Sequence, residues 1–381
     1  MGFLKKLFYI LLPLILLCGC IPSQIKLQVL RGDDSKAVFG RSPERQFLSD
    51  ETLSDSLVEL WEYSTNGSFP STMITVYDSF AFINDLSGRI YCLNIYSGKR
   101  IGQIKNEGSV YTAPVIHKAL LIYACAINQD DESRIIFYDI LTGQIKEESI
   151  IKGLVITELV KFNDGIVFTT ERGIVYKYNF VGHKVWELDT KVNTKSSPSA
   201  YDNYFLFANN EGEIICLDTQ KGEIVYRIKT PHPFFSGSAI KNEKLFIGDD
   251  AGLLYRIDIK TGVIQNKFDC GNRILMYPSI ESENIYLGNL NGELFSLNAE
   301  DLKLNWKLVT DGVLNTSPLV TPDKLIVPDL NRKIYFVDKK SGSILQTYHL
   351  EGRVKHTPVI VDGMLLVGFD NGIIKAYEMY H

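Results

Sequence analysis

Basic charge is in short supply in this chain. Its 381 residues carry 40 Lys and Arg against 45 Asp and Glu, a net charge of −5. Nucleic-acid binders show the opposite balance, so DNA and RNA are not expected partners. Long apolar runs are scarce too: Leu7 to Leu17, broken by Pro13, is the main one. A bilayer-spanning helix needs about 20 apolar residues, so this run falls short. The six histidines (His117, His183, His232, His349, His356, His381) include no His-x₃-His pair, which argues against a zinc site. No Gly-x-Ser-x-Gly elbow or glycine-rich phosphate loop is present, and these absences remove the usual hydrolase and nucleotide chemistries. No metal, no cofactor and no catalytic residue is therefore expected.

Core-forming residues, in contrast, are plentiful. The chain is 45% hydrophobic, with 20 Tyr and 20 Phe, a composition that leans toward β structure.

Residues 1–19 read as a lipoprotein signal peptide. Lys5 and Lys6 precede the short apolar run, in the layout of a secretory signal. Its end, Leu17-Cys18-Gly19-Cys20, resembles a bacterial lipobox. Cys20 is the residue to be acylated, because Cys18 has bulky Leu17 directly before it. Three acyl chains would anchor the protein stably to a membrane. Ile21 follows Cys20, and by resemblance to enterobacterial lipoproteins, a residue other than Asp there implies the outer membrane, with the bulk of the chain in the periplasm. Residues 20–55 are polar and charged and read as a flexible tether. Cys92, Cys125, Cys216 and Cys270 are widely spaced; buried small hydrophobes is the reading for most, with a Cys92–Cys125 bridge the pairing weighed against it.

Beyond the tether a single ruler measures the chain. The pattern Gly, x, aliphatic, apolar or aromatic, x, apolar, Asp/Asn starts at residues 88, 173, 212, 252, 292 and 372, with glycine-less copies at Ser133 and Arg332. The third position is aliphatic in all eight copies, from Ile90 to Ile374, and the seventh is Asp, Asn or Glu. The copies lie about 40 residues apart, apart from a five-residue insertion at Asp130-Asp131-Glu132. An Asp or Asn followed four residues on by Gly, as in Asp258 to Gly262, is hairpin chemistry, so these acids are turn formers and not metal ligands. Each period holds four short apolar runs in which both alternating faces are apolar, as in sheets packed face to face around an axis. An all-β fold is expected, an eight-bladed β-propeller of four-stranded antiparallel blades over residues 56–381. The last copy lacks a fourth strand, and Leu57 to Tyr63 has that strand's pattern, so it should close the ring and leave no open edge.

All three tryptophans, Trp61, Trp186 and Trp306, take one repeat position, and the next blade opens with Ser197-Pro198, Ser317-Pro318 or Thr357-Pro358. These motifs resemble the PQQ-like propeller repeat. With a lipobox and tether, the whole is similar to the outer-membrane assembly factor BamB family. That resemblance implies a non-enzymatic scaffold that binds the POTRA domains of BamA, as a monomeric propeller within a complex. The family's partner-contacting loop before the fourth blade carries Leu and Arg, but here Asp189 to Lys195 contains neither. The alternative is a quinoprotein-like propeller using PQQ and Ca²⁺ or binding some other ligand; it lacks the adjacent cysteine pair expected of that group. For the scaffold, the candidate partner-binding residues are His232, Phe234, Phe235 and Arg273, on loops that emerge on one face. Aromatic and Arg side chains are common interface anchors. Phe234 and Phe235 could equally fold inward as the start of the next blade.

Overall fold

The computed structural model describes residues 24–28, 35–52, 54 and 56–379, and all their regular structure is β. Eight antiparallel blades follow the ruler and form an eight-bladed propeller. Blade 1 comprises Thr75–Tyr77, Phe80–Asn84, Arg89–Asn94 and Arg100–Lys105, from the axis outward. Blades 2 to 7 repeat this order, starting at Val115, Val160, Ser199, Ser238, Ser279 and Leu319. Second and third strands are buried on both faces, as in Lys324–Pro328 and Ile174–Asn179. Fourth strands alternate between half-buried and exposed residues, as in Glu223–Lys229, because only one face meets the neighbouring blade.

The turn acids behave as the spacing predicts. Asn94 Oδ1 accepts from the amides of Tyr96 and Ser97, both at 3.1 Å. Asp218 Oδ1 does the same for Gln220 and Lys221, at 2.8 and 3.1 Å. Cys92, Cys125, Cys216 and Cys270 are free and buried. Burial raises the thiol pKa of Cys125 and Cys216 to about 12, which makes them packing residues and not nucleophiles.

The ring closes as expected. Leu57–Ser64 lies beside Ile373–Met379, with Leu57 opposite Met379 and Ser64 opposite Ile373. The tryptophans are the staples between blades. Trp61 Nε1 donates to Ile95 O of blade 1 at 2.8 Å, Trp186 Nε1 to Thr219 O at 3.1 Å, and Trp306 Nε1 to Lys339 O at 2.9 Å. Each ring covers the turn glycine of the next blade. A Cβ on Gly98 would stand 2.6 Å from the Trp61 ring, and the backbone there is left-handed, so glycine is required twice over.

Residues 20–55 are not a free tether where they are described. Ile25 and Leu27 are buried between blades 1 and 2, with Leu27 N donating to Ile140 O at 2.7 Å. Ser35–Ala37 then pairs with the innermost strand of blade 1. From there the chain passes from blade to blade around the central axis. The carbonyls of Pro43, Glu44, Gln46 and Phe47 accept in turn from the amides of Ala200, Ile240, Ile280 and Val320, at 2.8 to 3.0 Å. Those four donors stand one repeat apart. The Glu51 carboxylate ends the run on the amides of Asp362 and Gly363 of blade 8, at 3.0 and 2.8 Å. Composition misled here because order comes from backbone pairing to inward strand edges, which needs few apolar side chains.

Candidate docking face and the filled axis

The axis is packed with side chains from the incoming segment. Phe39 and Phe47 lie against Tyr277 of blade 6, with ring centroids 5.3 and 5.0 Å away. Tyr277 reaches across to blade 5, where any Cβ at Gly237 would overlap its ring. Arg45 is buried, its guanidinium donating to Phe39 O at 2.7 Å and Leu159 O at 2.8 Å. Glu158, also buried, receives Thr72 Oγ1 at 2.5 Å and the Ala113 amide at 2.9 Å. Burial pushes the Glu158 carboxyl up to about 7, against the pull of Thr72 and Arg45. A hydroxyl belt joins neighbouring blades around this centre: Ser196 Oγ donates to Ser236 O and Ser279 Oγ to Pro318 O, both at 2.6 Å. A cavity of about 380 Å³ remains between the segment and blades 2 and 3, lined mainly by apolar residues such as Phe39, Val115 and Leu159.

A quinone cofactor with Ca²⁺ does not fit this axis. Calcium needs six to eight oxygen ligands, whereas the central carboxylate Glu158 is already committed to Thr72 and Ala113. Among the described residues no cluster of three His, Cys, Asp or Glu is placed to hold a metal.

One propeller face is formed by the loops between blades and by the loops joining second to third strands. On this face the loop of the second kind hangs from one of the first in every blade but the second. Asn210 N donates to Asn193 O, Asp250 N to Pro233 O, Leu290 N to Arg273 O and Asp370 N to Arg353 O, at 2.9 to 3.1 Å. Buried carboxylates stiffen three of these loops. Asp85, Asp249 and Asp329 each accept the hydroxyl of the tyrosine six residues on, at 2.9 to 3.1 Å. The face is therefore rigid, and groups on it bind with little loss of loop entropy.

The same scaffold buries a histidine without a partner. His356 stacks on Phe69 at 4.5 Å, is 1% exposed, and neither ring nitrogen has a hydrogen-bond partner. Desolvation lowers its pKa from 6.5 to about 3. The unfolded chain thus takes up a proton below 6.5 that the folded chain refuses, so this site loses stability as pH falls from 6.5 toward 3. Met276 occupies the equivalent position in blade 6. We expect His356→Met to abolish that acid-side slope, about 1.4 kcal/mol per pH unit for one proton. Urea unfolding at a series of pH values measures it, and parallel profiles for variant and wild type would contradict the assignment.

Residues 171–312 and 269–379, together more than half of the chain, match the family of the outer membrane protein assembly factor BamB. The chain belongs to that family. A BamB from Shewanella oneidensis is 22% identical over 260 residues, covering 62% of this chain and 64% of the relative. The chain spans less than two thirds of the length of the curated relatives it matches first. BamB from Moraxella catarrhalis superposes with a TM-score of 0.70 at 14% identity, covering 85% of this chain and all of that one. A europium-containing methanol dehydrogenase gives a TM-score of 0.75 at 12% identity, covering 88% and 89%. At such identities the likeness speaks for the propeller and for no shared activity.

Within this BamB-family propeller the expected contact residues divide. Phe234 is fully buried, edge-on to Tyr255 at 5.8 Å, and is core. It caps the blade 4–5 seam, and its amide donates to Asn209 O. The inward reading was right for Phe234, and it offers no anchor. His232 and Phe235 are half-buried on the loop face. Arg273 is exposed and pairs with Asp250 at 2.6 Å. Of the acidic insertion, Asp131 pairs with Arg172 of blade 3. Sequence reading passed over Arg353, which is exposed and stands two repeats after Arg273 at the same position. The ruler alone would have found it. Cys20 lies outside the described residues.

Proposed function

We propose that this protein is a lipid-anchored, non-enzymatic scaffold of outer-membrane protein assembly that faces the periplasm. It holds a protein partner, most simply a POTRA-type domain, on the face formed by the loops between blades. The observation that carries this reading is the rigid loop face, with Arg273 and Arg353 exposed at one repeat position, on a BamB-family propeller. Phe235 and His232, half-buried in the loop between blades 4 and 5 on the same face, are adaptable contacts. Anchoring rests on the lipobox ending at Cys20. The quinoprotein alternative needs an open axis, and Phe39, Arg45, Phe47 and Tyr277 fill it. Reconstitution with PQQ and Ca²⁺ should give no dye reduction.

Crosslinking in native membranes, with identification of the captured partner, tests the scaffold reading. Arg273→Ala with Arg353→Ala is expected to cut capture by tenfold or more, since hot-spot residues are worth about 2 kcal/mol or more. The thermal midpoint should stay within a few degrees, because neither side chain is buried. Undiminished capture would place the contact elsewhere.

A further inference from the structure

The opposite face carries an asymmetry that the repeat makes visible. There each blade ends in the turn between its third and fourth strands, and one turn position follows the acid by two residues. In blades 4 to 7 that position holds Gln220, Lys260, Glu300 and Lys340, all polar. In blades 1 to 3 it holds Tyr96, Leu141 and Val181, which are 53%, 37% and 68% exposed. These three apolar tips are on consecutive blades and so share one arc of the rim. Solvation explains the polar residues of the other arc but not Leu141 and Val181, while Tyr96 donates its hydroxyl to Asp362 at 2.6 Å and leaves its ring half exposed.

The described N-terminal segment arrives on the same arc. Leu27 N bonds to Ile140 O, the residue before Leu141, and Gly143 of the same turn lies against Ile25 O and Lys26. Cys20 stands four residues before Gln24, a chain length that spans at most about 14 Å, so an anchor there is tied close to this docked segment. Lys26 of the docked segment and Lys99 and Lys118 in turns of blades 1 and 2 are exposed on this face, and Asp164 in the matching turn of blade 3 is paired with Lys177, a balance that suits anionic headgroups.

We propose that Tyr96, Leu141 and Val181 seat on the lipid bilayer surface, so that this rim faces the membrane and the loop face with Arg273 and Arg353 points away. The inference rests on the anchoring reading for its starting point. Interfacial contact strengthens with buried apolar area and with attraction to anionic lipid, and the arc supplies both. The turns are held rigid by Asn94, Asp139 and Asn179, whose side chains cap them, so the tips present a fixed surface.

The test uses full-length protein extracted from membranes and placed in vesicles of phosphatidylethanolamine and phosphatidylglycerol containing a spin-labelled lipid. The native thiols at 92, 125, 216 and 270 are buried, so an environment-sensitive fluorophore can be directed to Thr142→Cys beside Leu141, or to Ala251→Cys on the opposite face. The probe at 142 is expected to be quenched several-fold more than the probe at 251. Adding Tyr96→Gln, Leu141→Lys and Val181→Gln should bring the 142 signal down to that of 251 with an unchanged thermal midpoint. Equal quenching at both sites, or a triple variant that still quenches, would overturn the inference. The mass of the Cys20 peptide reads the anchor separately. If no acyl chains are found, the anchoring reading fails, and the same probes then report whether this rim meets the vesicles unaided: stronger quenching at 142 supports the face assignment, and none at either site overturns it.

Discussion

Replacing Phe47 or Arg45 by alanine is expected to destabilise the protein by about 3–5 kcal/mol each, although both lie in a stretch whose composition reads as linker. Phe47 is 1% exposed, packs on Phe39 and Tyr277, and has both its carbonyl and its amide bonded. Truncation leaves a cavity on the axis that rigid blades cannot collapse into. Arg45→Ala removes the donor for Phe39 O and Leu159 O and takes away the cation that favours ionised Glu158. Guanidinium chloride unfolding measures both losses, with Lys99→Ala as a surface control, and limited proteolysis should cut residues 35–52 first. If both variants unfold within 1 kcal/mol of wild type, the segment is not part of the core.

The same site makes a pH statement. Glu158 has a folded pKa near 7 against an ordinary 4.5. The folded chain therefore keeps a proton that the unfolded chain releases, and this contribution, full below 4.5, is lost as pH rises through 7. Glu158→Gln should flatten that decline, opposite in sign to the effect of His356→Met.

Trp61→Ala is the second large expected effect, again about 3–5 kcal/mol for a buried aromatic. Trp61 does two jobs at the seam where the chain's two ends meet. It lies in the strand that completes blade 8, and its indole bonds Ile95 O of blade 1 across the joint. Beside it, buried Lys375 is held by Glu59, Glu62 and Glu351 at 2.8 to 3.1 Å, and two of those acids belong to the closing strand. Loss of Trp61 should speed hydrogen exchange over Ile373–Met379 before the other blades respond. A variant with wild-type midpoint and wild-type protection there would contradict closure by this strand. Trp186→Ala and Trp306→Ala should cost less, since those rings are only half-buried.

Much of this was legible in one dimension because a propeller is a repeat of local units. Asp258 and Gly262 specify a turn between strands adjacent in sequence, and the copy 40 residues later specifies it again. Strand count and blade count follow from such local pairs, since each partner lies within one period. The closing strand pairs across the whole chain with Ile373–Met379, and was legible only because the last copy lacks a fourth strand whose pattern Leu57 to Tyr63 carries. The tryptophan position was visible for the same reason, although its bond to the next blade was not.

Sequence by itself thus determined the eight blades, the closing role of Leu57 to Tyr63 and the structural role of the turn acids. Only the tertiary structure decided what lies on the axis and which loop residues point outward. Arg45 meets Leu159 and Pro198 across more than a hundred residues, and Phe234 turns inward while Phe235 is left half-exposed. Neither choice is a local preference. Phe39 and Phe47 are buried because ring closure creates a central space lined by unpaired strand edges, and a segment fills it whose few aromatics match the gap and whose carbonyls match the inward amides.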